Sequence, residues 1–186
     1  MNWKISIMLE NSDKIILIDA DVVSHFIYAG EIISISSIFK NKIYILDKVY
    51  NELKRFPKRK IEVDNLLNFK LLTLMDFPEG NIEIKKEYAH IKKLMLKGDG
   101  ESACMAVAKY NKNILASSNL KDTKSYCKMH KIDYLTTMDF LCVAYKKKMF
   151  DLNRCNAFIS KVLVAGNKLP IEKFEDFDCR EIIFCK

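Results

Sequence analysis

The chain has 186 residues, and 31 Lys plus Arg against 24 Asp plus Glu give a formal charge of +7. That length suits one domain, and 49 % hydrophobic with 30 % charged residues is the composition of an ordinary globule, which excludes a disordered or collagen-like chain. The five glycines form neither GxxxxGK nor GxGxxG, so a phosphate-cradling loop of the nucleotide-binding kind is excluded as well.

No apolar stretch reaches the ~20 residues that a bilayer span requires. The run Ile5 to Leu9 is too short for the core of a signal peptide, so a cytoplasmic protein without a membrane partner is expected. Six cysteines, all in the second half and without CxxC spacing, read as small buried thiols. The surplus of lysine favours polyanionic partners. It is uneven, because residues 171–186 carry five acids against three bases and read as an acidic extension packed on a domain spanning 1–170.

In chain order, Ile15 to Asp19 is a strand buried on both faces and ending in a carboxylate, followed by a helix from Ala20 to Tyr28 that stops near Gly30. Ile43 to Leu46 is a second strand. Asp47 then caps a helix whose Val49, Leu53 and Phe56 share a face, with Pro57 expected to end it. A helical piece from Ile61 to Phe69 leads to an edge strand within Leu71 to Met75, and Ile84, Tyr88, Ile91 and Met95 repeat at helical spacing before Gly98. Gly98-Asp99-Gly100-Glu101 opens a helix running from Ser102 to Tyr110. Strands at Ile114 to Ala116 and Ile132 to Leu135 alternate with helices at Lys121 to His130 and Met138 to Lys147. Phe158 to Val164 adds a helix, and Glu181 to Cys185 reads as a final strand. Such alternation predicts an α/β fold with a central, mainly parallel sheet flanked by helices.

In open parallel sheets the ligand site lies beyond the C-terminal ends of the strands. Asp19 ends the first strand, Glu52 lies in the next unit, Glu101 opens a helix, and Ser117-Ser118-Asn119 follows the strand at Ile114. Carboxylates gathered at one end of a sheet repel one another unless a cation sits between them, and hard oxygen donors select Mg²⁺ or Mn²⁺.

The segments Ile16 to Val23 (ILIDADVV), Val49 to Leu53 (VYNEL), Gly100 to Ala108 (GESACMAVA), Ser117 to Asn119 and Thr136 to Leu141 (TTMDFL) resemble, in order and approximate spacing, the motifs of bacterial PIN-domain nucleases. That family includes the toxins of toxin-antitoxin pairs. The resemblance implies a three-layer PIN-like fold and a metal-dependent ribonuclease, a hydrolase of phosphodiester bonds in single-stranded or structured RNA. It also implies an antitoxin protein and a homodimer as partners. Carried across by residue, Asp19, Glu52 and Glu101 match the metal carboxylates. Asn119 stands at the fourth acidic position, where it keeps an oxygen ligand but not the charge, and Ser117 would bond to a carboxylate or phosphate. Asp21, Asp122 and Asp139 are further acidic candidates. Lys85, Lys86, Lys92 and Lys93 on one helix, with Lys121 and Lys124 on another, are the candidate RNA contacts.

Two other readings compete. Asp19-Ala20-Asp21-Val22-Val23 also looks like the Asp-x-Asp-x-Val motif of haloacid-dehalogenase-like phosphatases, with Gly98-Asp99-Gly100 as their later Gly-Asp. The third is a catalytically weak or inactive PIN-like module that binds RNA or protein, which Asn119 favours.

Overall fold

A computed structural model describes residues 13–95 and 98–182, with the backbone alone for 120–122. Its centre is a five-stranded sheet, all parallel, in the order β3-β2-β1-β4-β5. The strands are β1 (Ile16–Ile18), β2 (Ile43–Leu46), β3 (Thr73–Met75), β4 (Ile114–Ala116) and β5 (Tyr134–Leu135). β1 and β4 are buried at every residue, the pattern expected of parallel strands covered on both faces. β3 is the edge, and its Leu74 is exposed.

The helices are α1 (Ala20–Ala29), α2 (Ile35–Ile38), α3 (Asp47–Leu53), α4 (Pro57–Asn68), α5 (Ile82–Leu94), α6 (Asp99–Asn111), α7 (Leu120–His130), α8 (Thr137–Lys146) and α9 (Leu152–Val164). α1, α8 and α9 meet through aromatic edges. Phe26 lies 5.7 Å from Phe140 and 4.9 Å from Phe158, centre to centre, and Phe39 lies 4.8 Å from Phe140. These near-perpendicular pairs add about 0.5–1.5 kcal/mol each beyond the area they bury. α6 packs against α3 and α5 with a stripe of small side chains, Ala103, Ala106 and Ala108, all buried.

Local signals account for most boundaries. Gly30 closes α1 in the left-handed region at φ 73°, and its N–H donates back to Phe26 and Ile27 carbonyls. Asn81 caps α5 by accepting from the N–H groups of Glu83 and Ile84. Thr136 and Asp139 form a reciprocal capping box at the start of α8.

Several expectations are corrected. Pro57 does not end a helix. α3 stops at Leu53, and Pro57 occupies the first turn of α4, where its missing N–H is no loss. Asp47 lies inside the first turn of α3 rather than at its cap, and its Oδ1 accepts from Lys48 N and Phe77 N. Residues 32–38, passed over in the sequence, form a 3-10 turn leading into α2. α9 begins at Leu152, where Asp151 accepts from Arg154 N, and not at Phe158. Glu181 and Ile182 are not in a strand, and the remainder of that predicted element lies outside the described residues. The cysteines are not all free. Cys142 and Cys179 form a disulfide, Cys104, Cys127 and Cys155 are buried thiols, and Cys185 lies outside the described residues.

Past α9 the chain returns to the globule. Phe174 is buried against Tyr145, and Phe174 N donates to the Asn156 side chain. Among the described residues no helix is long and apolar enough to cross a membrane.

Candidate active site

The chain runs β1, β2, β3 outward in one direction, then returns to lay β4 and β5 on the other side of β1. The strand order therefore reverses between β1 and β4, and the region beyond their C-terminal ends is the usual ligand position in open α/β sheets. Asp19 leaves β1 at that point, and its N–H still donates to Ala116 O at 2.9 Å. Ser117 follows β4 directly.

Asp19 is 5 % exposed. One oxygen accepts from Ala20 N at 2.7 Å, capping α1, and the other accepts a long 3.4 Å bond from the Ser117 hydroxyl. Neither supplies a countercharge. Burial, reinforced by the negative charges of Asp21 and Glu101 and more weakly of Glu52, raises its pKa well above the usual carboxylate range. Asp21 accepts from Val22 N at 2.8 Å and Ser118 N at 3.0 Å, and burial still pushes it up to about 6.

Glu52 comes from α3. Its Oε1 accepts from Gly100 N at 2.8 Å, so the second carboxylate is anchored on the first turn of α6. The two glycines flanking Asp99 make this approach possible. A Cβ at Gly100 would lie 2.9 Å from Glu52 Oε2 and 3.1 Å from the Val49 Cα, and one at Gly98 would lie 3.1 Å from Glu52 Oε1. Glu101, 8 % exposed, accepts from the Thr123 hydroxyl at 2.9 Å and from the Asn119 amide nitrogen at 3.4 Å. The structure thus brings Asp19, Asp21, Glu52, Glu101, Ser117 and Asn119 to one end of the sheet.

Asp139 is already committed elsewhere. Arg180 donates to both of its oxygens, at 2.7 and 2.8 Å, and Thr136 uses its backbone N–H and its hydroxyl on Oδ2. The side chains of Asp122 and Lys121 lie outside the described residues. On α5, Lys85 pairs with Glu79, Lys86 with Glu83 and Lys92 with Asp99, leaving Lys93 without an acidic partner among the described residues. Lys124 is exposed on α7.

The sequence reading missed the supports of this site. Thr123, buried one turn after Asn119, positions Glu101. Ser118 holds Asp21 through its N–H and bonds to Thr137 at 2.6 Å, and Thr137 meets His25 Nδ1 at 2.8 Å. Burial lowers His25 to about 4, so it is a neutral hydrogen-bonding group at physiological pH. The run Ser117, Ser118 and Asn119 carried that signal only as a cluster of hydroxyl and amide groups after a strand.

The donors are hard oxygens, most of them carboxylates, which matches a divalent cation such as Mg²⁺ or Mn²⁺ in kind. In arrangement, no group of three or more His, Cys, Asp or Glu among the described residues is gathered closely enough to hold a metal ion. Gly98-Asp99-Gly100 forms the cap and first residues of α6 and comes after α5, so it lacks the preceding strand that the phosphatase motif needs.

No family model and no curated protein matches the chain. Among solved structures, it is similar to a chain in the crystal structure of VapBC2 from Rickettsia felis bound to a DNA fragment from their promoter. The identity is 15 % and the TM-score 0.48, with 66 % of this chain and 98 % of that chain covered. Function is therefore read from this chain's own residues.

Proposed function

We propose that the protein is a cytoplasmic, metal-dependent endoribonuclease of the PIN type. The observation that carries this reading is Asp19, a buried carboxylate with no countercharge among the described residues, at the point where the strand order reverses, near carboxylates from α1, α3 and α6. Mutual repulsion of this kind is relieved by a divalent cation, and carboxylates so placed suit phosphodiester hydrolysis. To hold Mg²⁺ or Mn²⁺, Asp19, Glu52 and Glu101 would have to draw together from their positions in this structure, with Asn119 as a neutral oxygen donor. When bound, the ion would polarise a phosphoryl oxygen and acidify a water.

The chain's own groups have separate tasks. The Gly100 N–H fixes the rotamer of Glu52, Thr123 fixes that of Glu101, and the Ser117 hydroxyl donates to Asp19, which it would exchange for a phosphate oxygen of the substrate. The same reading makes residues 1–170 the nuclease domain with 171–186 packed on it. Its partners are RNA, an antitoxin protein and a second copy of the chain. A module that binds RNA or protein without cutting is the second reading, favoured by the Asn119 amide nitrogen facing Glu101 where a fourth charge would stand.

The test is Asp19→Asn, assayed on single-stranded RNA with Mn²⁺ and with EDTA. The wild type should cut only with metal, and the variant should lose at least about a hundredfold in rate, the several kcal/mol that a bound cation supplies. Its melting temperature without metal should be equal or higher, because a buried like charge is gone. Cleavage by the variant at the wild-type rate, or by the wild type in EDTA, would refute the assignment, and an inactive wild type would favour the binding module.

A further inference from the structure

Residues 54–60, between α3 and the first turn of α4, carry five cations and no acid. Among the described residues only Lys60 has a carboxylate partner, Asp64 at 2.5 Å. Lys54, Arg55 and Lys58 are exposed. In their midst the Phe56 ring is 51 % exposed. The Arg59 guanidinium stacks over that ring at 4.3 Å and lies 5.4 Å from the Tyr28 ring, and its Nη2 donates to the Tyr28 hydroxyl at 2.7 Å. The guanidinium is thereby fixed by aromatic groups and neutralised by none.

An exposed ring backed by a fixed guanidinium is a flat apolar surface with positive charge around it. Unstacked bases bind such surfaces through their faces while phosphates meet the surrounding cations. An apolar protein partner would have to desolvate Lys54, Arg55 and Lys58, whereas a polyanion is attracted by them. The lysine face of α5 offers less, since three of its four lysines already have carboxylate partners. Position matters too. Phe56 is four residues after Glu52, on the order of 14 Å at most along the backbone. A polyanion reaching the acid cluster needs compensating charge within a few nucleotides, and this turn supplies it.

We propose that the turn between α3 and α4 is a stacking platform for an unpaired base of single-stranded RNA, with Phe56 and Arg59 as the platform and Lys54, Arg55 and Lys58 as phosphate contacts. This rests on RNA being the substrate proposed above. The experiment is equilibrium binding in EDTA, so that affinity is read without cleavage. The probes are a fluorescein-labelled oligouridine of about twelve nucleotides and an abasic strand of the same length.

Phe56→Ala should weaken oligouridine binding about tenfold and leave the abasic strand unaffected. The triple change of Lys54, Arg55 and Lys58 to Gln should weaken both strands and lower the slope of log affinity against log salt by about 2. The Lys85, Lys86, Lys92 and Lys93 to Gln variant should change that slope less. Because Phe56 is exposed, its variant should fold, and a circular-dichroism melt checks this. Unchanged oligouridine affinity in the Phe56→Ala variant overturns the platform, assigns the ring to a protein contact and leaves the nuclease reading untouched. An equal loss on both strands also overturns it, because stacking is then absent. If Asp19→Asn instead keeps full activity while Phe56→Ala loses only base-dependent binding, the platform stands and the metal assignment falls.

Discussion

Asp19, the N-cap of α1, and Asp139, in the first turn of α8, both lie at a strand-to-helix passage and live in opposite electrostatic conditions. Each stands where a parallel strand passes into a helix, β1 into α1 and β5 into α8, and each is buried, at 5 % and 2 % exposure. Asp139 receives two donors from Arg180 and two from Thr136, one on Oδ1 and three on Oδ2, and one of its partners carries a full positive charge. Asp19 receives one backbone N–H, one long hydroxyl bond and the repulsion of its acidic neighbours. A carboxylate buried for architecture is compensated by the chain itself. One left uncompensated burdens the fold and keeps its oxygens free for something from outside. The burial of an Asp is thus a weak sign of function, and the absence of a countercharge is a stronger one.

The comparison can be broken most sharply by pH. Asp21 shares the cluster, and its folded-state pKa of about 6 lies above its ordinary value of 3.8. The native state then holds a proton that the unfolded chain has released, so this group's contribution to stability falls as pH rises from about 4 to about 6 and is constant above that. The shift is equivalent to about 3 kcal/mol. Urea denaturation without metal should show a decline over this window, and Asp21→Asn should lessen it and leave the part that Asp19 contributes. A wild-type stability that rises throughout the window would mean that the cluster is compensated after all.

Next in size is Arg180→Met, which leaves Asp139 buried without its partner. Removing one member of a fully buried pair destabilises by about 3–5 kcal/mol, and Arg180, whose side chain is 38 % exposed, should give about 2 kcal/mol in the same assay. Equal stability would place Asp139 in the same class as Asp19.

The smallest effect is expected from Gly100→Ala. The new methyl group meets Glu52 Oε2 and Val49 Cγ2 at 2.9 Å, closer than a Cβ can sit, and presses on the Val49 Cα at 3.1 Å, while the helix gains about 1 kcal/mol of propensity. The net loss should be about 1 kcal/mol, accompanied by a larger fall in metal-dependent cleavage, since Glu52 must move. A variant with full activity and raised stability would show that α6 yields and that Glu52 needs no anchor there.

The sheet was readable because its strands are uninterrupted apolar runs. Ile43–Leu46 and Ile114–Ala116 coincide with the predicted segments to the residue. The segment at 32–38 was harder, since its isoleucines suit both alternation and helical spacing. Burial of Ile32, Ile35 and Ile38 with Ile33 72 % exposed shows that the period near three was the true one. At the site, Asp19 was legible from a charge ending an apolar run, and Glu101 from a helix start. The bond from Gly100 N to Glu52 and the pairing of Asp139 with Arg180 were not, because they join residues 48 and 41 apart with no shared local pattern. The disulfide escaped for a related reason, as cysteine connectivity does not follow from sequence alone.

Cys179 and Arg180 are neighbours in sequence, and they seize Cys142 and Asp139, one turn apart on α8. The segment after α9 therefore behaves as a ligand that helix α8 carries on its own chain. While the sulfur bond holds, Arg180 that has swung away rebinds at a high effective concentration, and the charge pair is in practice permanent. In surroundings that keep thiols reduced, the same pair rests on its own affinity and on the packing of Phe174 and Phe177. The grip on Asp139 is then graded by redox poise.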